Sequence, residues 1–417
     1  MPAVTAAPDL DARRAGLDRI AIVGASLAGL SAAEALREAG FEGAVTLVGA
    51  EAHLPYDRPP LSKQVLAGDR DGQSTALRIP ERYDELKLDL LLGRAAARLD
   101  ATAGTLELQS GESVGYDGLI IATGASPRTL PATPELDGIH TLRTLEDCLA
   151  LRREFEAGPR VAVVGAGFIG AEVAAVARGR GLDVTVLEAA PVPLERAIGA
   201  AMGRVCAALH TAHGVDLRLG VAVEDFDGSA RIERVRLGDG SSIEADVVVV
   251  GVGVDPNTAW LEGSGLVLDN GIVCDATCAT NVPGIFAAGD VASWHNRQYG
   301  EQMRVEHWTN AVEQGRAAAR NLLAGPLAAE PFSSVPYFWS NQYDTRIQFV
   351  GHARPDDEVR VAHGAVDDDR FVALYGRAGR LVAALGFNWA RLVMGYRAKI
   401  AEGIGWDEAL DGAASLE

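Results

Sequence analysis

Two glycine-punctuated segments carry the residues whose types and spacing point most directly to chemistry. Residues 160–181 read RVAVVGAGFIGAEVAAVARGRG and are followed by DVTVLEAA. Gly165, Gly167 and Gly170 fit the G-x-G-x-x-G spacing between a β-branched strand and an amphipathic helix. The first glycine permits the tight turn, the second lets the backbone approach a pyrophosphate, and the third lets helix and sheet pack closely. Phosphates then sit at the helix N-terminus, where unpaired N–H groups and the helix dipole favour negative charge. Glu188 ends the next strand, where an acid hydrogen-bonds the ribose hydroxyls of a bound adenosine.

Residues 19–40, RIAIVGASLAGLSAAEALREAG, repeat the pattern with Gly24, Ser26 and Gly29, and AVTLVGAE follows to end on Glu51. Serine is a small replacement for the middle glycine, and its hydroxyl can itself bond a phosphate oxygen. For this first copy a plain βαβ unit without nucleotide is the alternative reading. Cofactor choice at the second copy follows from charge: the Glu188 carboxylate accepts from both ribose hydroxyls but repels a 2′-phosphate. Ala189, Ala190 and Pro191 offer no arginine to receive that phosphate, and the nearest beyond them is Arg196. The second copy therefore favours NADH over NADPH.

The elements that must position these residues follow from the duplication. Each copy is strand, turn, helix, strand, so the expected fold class is α/β with two Rossmann-like dinucleotide-binding domains. Two further apolar strands run into small residues, YDGLIIATG at 116–124 and ADVVVVGVGVDPN at 245–257. They mark where the chain crosses between domains. VPGIFAAGD at 282–290 places Asp290 where it can accept from sugar-like hydroxyls, with a simple helix N-cap as the alternative. Beyond Pro331 and Pro336 the apolar residues alternate, with short strands expected around 346–351, 358–363, 371–375 and 380–386 and a helix over 389–402. This is a C-terminal α/β domain.

Composition narrows the function class. The 417 residues are 48% hydrophobic and 23% charged, an ordinary globular balance, and the net charge of −19 lacks the basic footprint of a nucleic-acid binder. The longest near-continuous apolar run, 247–254, is far short of the ~20 residues that span a bilayer. Residues 1–19 have no apolar core, so they read as a loose tail and not a signal peptide, and the expected location is the cytoplasm. Cys148, Cys206, Cys274 and Cys278 are too scattered for a disulfide framework, and no residues suggest a metal centre.

Taken together, the first glycine turn, PYDRPPLSK (55–63), ATGASPR (122–128), GAGFIGAE (165–172) and GIFAAGD (284–290) resemble the FAD-dependent pyridine nucleotide–disulfide reductase superfamily. PYDRPPLSK and EHWTNA (306–311) further resemble its ferredoxin reductases that serve cytochrome P450 and aromatic-ring dioxygenases. The likeness runs from about residue 19 to the C-terminus. It implies an FAD domain from 1–123 and 254–328, an inserted NAD domain at 124–253 and the C-terminal domain at 329–417. It implies a cytoplasmic FAD enzyme that takes a hydride from NADH and passes single electrons to a 2Fe-2S ferredoxin.

By the same resemblance Gly24, Ser26, Gly29, Ala122, Thr123 and Gly124 bind FAD. The family often has an acid at position 50, where this chain has Ala50, so the FAD ribose contact falls to Glu51. Arg58 and Lys63 lie against the flavin, Asp290 binds the ribityl chain, and Trp308 lies by the ring and the nicotinamide. Gly165, Gly167, Gly170, Glu188 and Gly253 bind NADH. Glu172, in the first turn of its helix, faces Lys63 across the domain boundary, with favourable placement at a helix N-terminus as the alternative. Lys63, Glu172 and Trp308 are the candidate catalytic residues, and core packing is the alternative for Trp308. His53 and His307 are read as packing or hydrogen-bonding residues.

The Cys274/Cys278 spacing invites comparison with redox disulfides, but these two precede the Asp290 strand and are read as small apolar positions. Rubredoxin reductase, NADH oxidase, and a flavin-bearing signalling protein like apoptosis-inducing factor stay open on the same scaffold. Ferredoxins of this kind are usually acidic, so an acidic chain must dock one through a local basic area, for which Arg304, Arg391, Arg397 and Lys399 are candidates, with a solvated helix face as the alternative reading for the last three. The protein is expected to act as a monomer. Glu188→Arg should narrow or invert the preference for NADH over NADPH, read as the ratio of the two kcat/KM values; an unchanged ratio removes the ribose assignment.

Overall fold

A computed structural model describes residues 16–131 and 133–414; most of the expected N-terminal tail, 1–15, lies outside the described residues. The chain folds into two compact units. The first takes the segments up to Asp57, Ala76–Ala125 and Pro256–Ser334, and the second takes Arg58–Thr75, Ser126–Asp255 and everything from Val335 onward.

In the first unit, Arg19–Val23 lies at the centre of a five-stranded parallel sheet. The spatial order is Ile285–Ala287, Gly118–Ile121, Arg19–Val23, Ala44–Val48 and Leu88–Leu91. Strands buried on both faces must be apolar throughout, and Ile20, Ile22, Leu119, Ile120 and Leu47 are all sealed from solvent. The helix Leu27–Glu38 covers one face and packs on the helix Trp308–Ala324. That pair is close because Gly315 has no side chain: a Cβ there would stand 2.3 Å from the Ala28 carbonyl oxygen. On the other face, Leu99, Leu106 and Trp294 close a second core beneath a three-stranded antiparallel sheet, Ala96–Asp100, Thr105–Leu108 and Ser113–Gly115.

The second unit repeats the parallel architecture. Its order is Asp216–Leu219, Val184–Glu188, Val161–Val164, Val247–Val250 and Ile139–His140. The four valines of Val247–Val250 are fully buried, so the apolar run that was too short for a membrane is an interior strand. Among the described residues no helix is long and apolar enough to cross a membrane.

The C-terminal region forms a five-stranded antiparallel sheet in the order Tyr337–Gln342, Thr345–Gly351, Arg380–Phe387, Arg370–Arg377 and Glu358–Ala365, with helices Ala390–Glu402 and Trp406–Ala414. Its core, including Phe349, Phe371, Tyr375 and Phe387, also takes in Ile198, Met202 and Cys206 from the helix Glu195–Ala212. Two of these elements escape hydropathy. Trp406–Ala414 is a second helix beyond the expected one. Tyr337–Gln342 alternates buried and part-exposed residues, but its inward positions are Phe338, Ser340 and Gln342, so the strand does not read as apolar alternation.

The segment 58–75, which the resemblance implied belongs to the first domain, clusters with the second unit. Val65 and Leu66 are fully buried, the Cys148 thiol donates to the Leu61 carbonyl at 3.1 Å, and Arg180 donates to the Leu66 carbonyl at 3.3 Å. Gly315→Ala should destabilise the first unit by about 1–3 kcal/mol, because only backbone movement makes room for the methyl; urea unfolding measures this, and a wild-type midpoint would show that the two helices separate at little cost.

Candidate functional site: two dinucleotide cradles and a buried ion pair

The first cradle is the turn between Arg19–Val23 and Leu27–Glu38. Gly24 adopts φ +121°, in the region that favours glycine, and a Cβ there would lie 2.0 Å from the Ala122 carbonyl oxygen. A Cβ at Gly29 would meet the Gly24 oxygen, also at 2.0 Å. The turn is thus pressed onto the end of the strand Gly118–Ile121. Ser26 is the helix N-cap, and its side chain makes no capping hydrogen bond. The first amides of the helix therefore lack the usual side-chain acceptor, as an anion site requires.

The residues expected around this cradle are brought to it by local bonds. Thr123 Oγ1 donates to the Asn257 carbonyl at 3.0 Å, and Asn257 Nδ2 returns a bond to the Thr123 carbonyl at 2.9 Å. The Glu51 carboxylate accepts from the Tyr56 hydroxyl. Asp290 lies in a short turn whose preceding amide, that of Gly289, donates to Gln314 Oε1 at 2.8 Å. Arg304 donates to the Asp290 carbonyl at 3.1 Å.

Trp308 opens its helix with 37% of its surface exposed, and its Nε1 donates to Asp57 Oδ1 at 2.8 Å. That exposure removes the core-packing reading for Trp308. Arg304 is corrected in the other direction. Its side chain is only 9% exposed and is paired with Glu306 at 2.7 Å, so it is a brace for the Asp290 turn and not a docking charge. Arg397 is likewise engaged, donating to the Val335 carbonyl at 2.9 Å, and Lys399 sits 5.1 Å from the centroid of the Tyr396 ring. Arg391 is exposed.

The second cradle, between Val161–Val164 and Phe168–Gly179, has the same build. Gly165 has φ +98°, and a Cβ there would come 2.4 Å from the Gly251 oxygen; one at Gly170 would come 2.0 Å from the Gly165 oxygen. Gly167 differs. Its Cβ would meet nothing closer than the Gly251 oxygen at 3.9 Å, so protein packing does not require glycine at this N-cap. Space kept beside the first helical amides without a packing reason fits a bound pyrophosphate.

Glu188 is pinned by the backbone of the same turn. Its Oε2 accepts from the Ala166 amide at 2.6 Å and its Oε1 from the Ala190 amide at 2.8 Å. Each oxygen keeps a second lone pair for a ribose hydroxyl. Gly253, with φ +105°, accepts from the Arg128 amide at 2.9 Å, and Arg128 is paired with Asp255 at 2.5 Å.

Lys63 and Glu172 meet within this second unit, Nζ to Oε2, at 2.6 Å. Their side chains are 11% and 2% exposed. Two details differ from the sequence expectation. The pair lies inside one compact unit, because 58–75 packs there. Glu172 stands in the second helical turn, and no acid occupies the first, so N-terminal dipole stabilisation does not account for it. Ser62 Oγ donates to the same carboxylate oxygen as Lys63, and Ser340 Oγ donates to Oε1 at 2.7 Å. Arg58, just before this segment, donates to the Arg143 carbonyl at 2.8 Å.

Ser340 was not anticipated, and neither were Tyr56, Asp57 and Gln314. The one signal for Ser340 is a polar residue at an inward strand position. All four cysteines are free and buried. Burial pushes the Cys148 thiol up to about 11 and those of Cys206 and Cys274 to about 12, so none is a thiolate near neutrality.

The two N-terminal glycines of the second helix separate binding from folding. Gly167→Ala should keep wild-type thermal stability and lose dinucleotide affinity about tenfold. Gly170→Ala should instead cost about 1–3 kcal/mol of stability. Calorimetric unfolding and nucleotide titration read the two effects; wild-type affinity in Gly167→Ala would show that the ligand does not approach this amide.

Comparison with known proteins assigns the architecture. Residues 18–315 match the model for the pyridine nucleotide-disulphide oxidoreductases, and residues 337–416 match a reductase C-terminal domain. The chain is 39% identical over 384 residues to rhodocoxin reductase of Rhodococcus erythropolis, covering 92% of this chain and 89% of the relative. It is 38% identical over 376 residues to the ferredoxin–NAD(+) reductase component of the biphenyl dioxygenase system of Paraburkholderia xenovorans, covering 90% and 91%. The fold superposes on the reductase of a covalent putidaredoxin reductase–putidaredoxin complex with a TM-score of 0.90 at 33% identity, covering 96% and 98% of the two chains. With its twin glycine cradles and its C-terminal sheet, the chain belongs to the pyridine nucleotide-disulphide oxidoreductase family.

Proposed function

We propose that the protein is an FAD-dependent NADH:ferredoxin oxidoreductase serving a cytochrome P450 or ring-hydroxylating dioxygenase through a 2Fe-2S ferredoxin. The observation that carries this reading is the pair of glycine cradles, each followed by a held carboxylate, in a chain whose four thiols are buried and protonated. Relatives of matching length are ferredoxin–NAD(+) reductases and rhodocoxin reductase. Bound FAD supplies the conversion of a two-electron hydride into single electrons, so the protein needs no thiol pair of its own.

The chain's own residues bind, orient and exclude water. Gly24, Ser26 and Gly29 leave the helix amides open to the FAD pyrophosphate, Glu51 takes its adenosine ribose, and Ala122, Thr123 and Gly124 line the strand end. Asp290, braced by Gln314 and Arg304, accepts from the ribityl hydroxyls. Gly165, Gly167, Gly170 and Gly253 form the NADH side, with Glu188 selecting a free 2′-hydroxyl. Lys63 would supply a cation to stabilise the negative charge of a reduced flavin ring. Glu172 and Ser62 keep that ammonium in place, Arg58 would hold the flavin, and Trp308 would contact the flavin and the nicotinamide.

On this reading FAD belongs to 1–123 and 254–328 without the segment 58–75, which clusters with the second unit, NADH to 124–253, and 329–417 is the C-terminal domain. The protein works in the cytoplasm as a monomer. NADH-driven reduction of cytochrome c should require added 2Fe-2S ferredoxin; turnover that is the same without it would favour an oxidase or a signalling role.

A further inference from the structure

We propose that Ser340, Gln342 and His210 are positioning residues that aim a one-directional chain of hydrogen bonds at the Glu172 carboxylate. All members belong to the second unit. The chain can be followed from the carboxylate outward. Ionised, Glu172 only accepts hydrogen bonds, and it takes one from Lys63 on Oε2 at 2.6 Å and one from Ser340 on Oε1 at 2.7 Å. The single proton of the Ser340 hydroxyl is thereby committed. Its oxygen in turn accepts from Gln342 Nε2 at 3.2 Å. This orients the Gln342 amide, so its Oε1 is the end left for a donor.

In the proposed chain His210 supplies that donor. Gln342 Oε1 and His210 Nε2 are both buried, and neither makes a hydrogen bond in the structure. The Gln342 side chain nonetheless acts on the imidazole as a hydrogen-bonding neighbour that favours its protonated form. Burial opposes this more strongly, with the nearby His213 adding to it, and holds the His210 pKa down to about 4. The ring is therefore neutral at pH 7, with one nitrogen a donor and the other an acceptor. Nδ1 lies 2.8 Å from the Tyr343 hydroxyl. With that hydroxyl donating, the ring proton sits on Nε2, the nitrogen the proposed chain needs as its donor toward Gln342.

The backbone is held where this arrangement needs it. Tyr343 has φ +56°, an unfavourable region for a bulky residue. Its ring stacks on His213 at 3.7 Å between centroids, with 8° between the planes. A strand whose inward positions after Phe338 are Ser340 and Gln342 gives up apolar burial of the kind that Phe349, Phe371 and Phe387 obtain in the same sheet. Satisfying a carboxylate on a neighbouring helix is a physical reason for that choice. An amide is a poor proton relay, since it would have to tautomerise, so the chain orients the carboxylate and does not conduct protons. Glu172, held from Oε1, then holds Lys63 from Oε2.

The inference rests on the proposed role of Lys63 and Glu172 for its kinetic test but not for its structural one. In the FAD-loaded full chain with ¹⁵N-labelled histidine, His210, identified by the signal lost in His210→Gln, should be the neutral tautomer with Nε2 protonated at pH 7. An Nδ1-protonated or cationic ring would overturn the chain. In stopped-flow reduction by NADH, Ser340→Ala should slow the limiting rate about tenfold, the loss expected for one hydrogen bond to a charged group, and leave the apparent NADH affinity unchanged. Gln342→Leu should act in the same direction more weakly, and it serves if Ser340→Ala does not fold.

In a Glu172→Gln background the Ser340→Ala effect should disappear. An equal effect in both backgrounds would mean that Ser340 acts by packing, which overturns the proposal. A slow Glu172→Gln beside an unaffected Ser340→Ala and Gln342→Leu would also overturn it while leaving the ion pair's role intact. Unchanged rates in Glu172→Gln itself would remove the functional reading of the pair and the positioning role with it.

Discussion

Glu172 sets a demand that distant stretches of the chain meet together. A carboxylate sealed from water must recover within the protein the hydrogen bonds it gives up. Ser62 and Lys63 approach from one segment and Ser340 from another, on a nucleotide helix that would otherwise need neither. Withdrawing one partner from a buried pair of this kind typically costs about 3–5 kcal/mol. That penalty is reason enough for 58–75 to leave its sequence neighbours and cluster with the second unit, and for the strand Tyr337–Gln342 to present polar residues inward.

The two cradles solve one problem by the same packing and different electrostatics. In each, the third glycine admits the carbonyl of the first, and the first presses on a neighbouring strand end. At the middle position packing asks for nothing, which is why serine stands in one copy and glycine in the other. The acids are held differently. Glu188 is fixed by two backbone amides of its own turn, while Glu51 depends on a tyrosine hydroxyl. The chemistry is left to the ligands: the thiols are buried out of reach, and the protein contributes an ordered cation, its counter-ion and oriented acids.

Much of this was legible from residue order alone. The doubled βαβ pattern, the parallel sheets, the glycine triads with their acids, and the pairing of Lys63 with Glu172 follow from local spacing or from the resemblance that spacing carries. Others depended on distant neighbours. Arg304 looked like a surface charge until its partners, Glu306 and the Asp290 carbonyl, were known. Trp308 could have been core; its hydrogen bond to Asp57 and its exposure decide otherwise. The strand ending at Gln342 failed the apolar test because one of its inward side chains, Ser340, donates to a buried carboxylate and another, Gln342, donates to Ser340.

The amino-acid sequence by itself determined the elements whose logic is local: where strands turn into helices, which glycines let the backbone pack closely in the turn, and which acid follows. Those features depend on residues within one turn or one βαβ unit, and the spacing is their cause. Only the tertiary structure decided which polar side chains become partners across hundreds of residues. A hydrogen bond is directional and short, and sequence separation carries no information about whether a serine on a late strand lies within 2.7 Å of a carboxylate on an early helix.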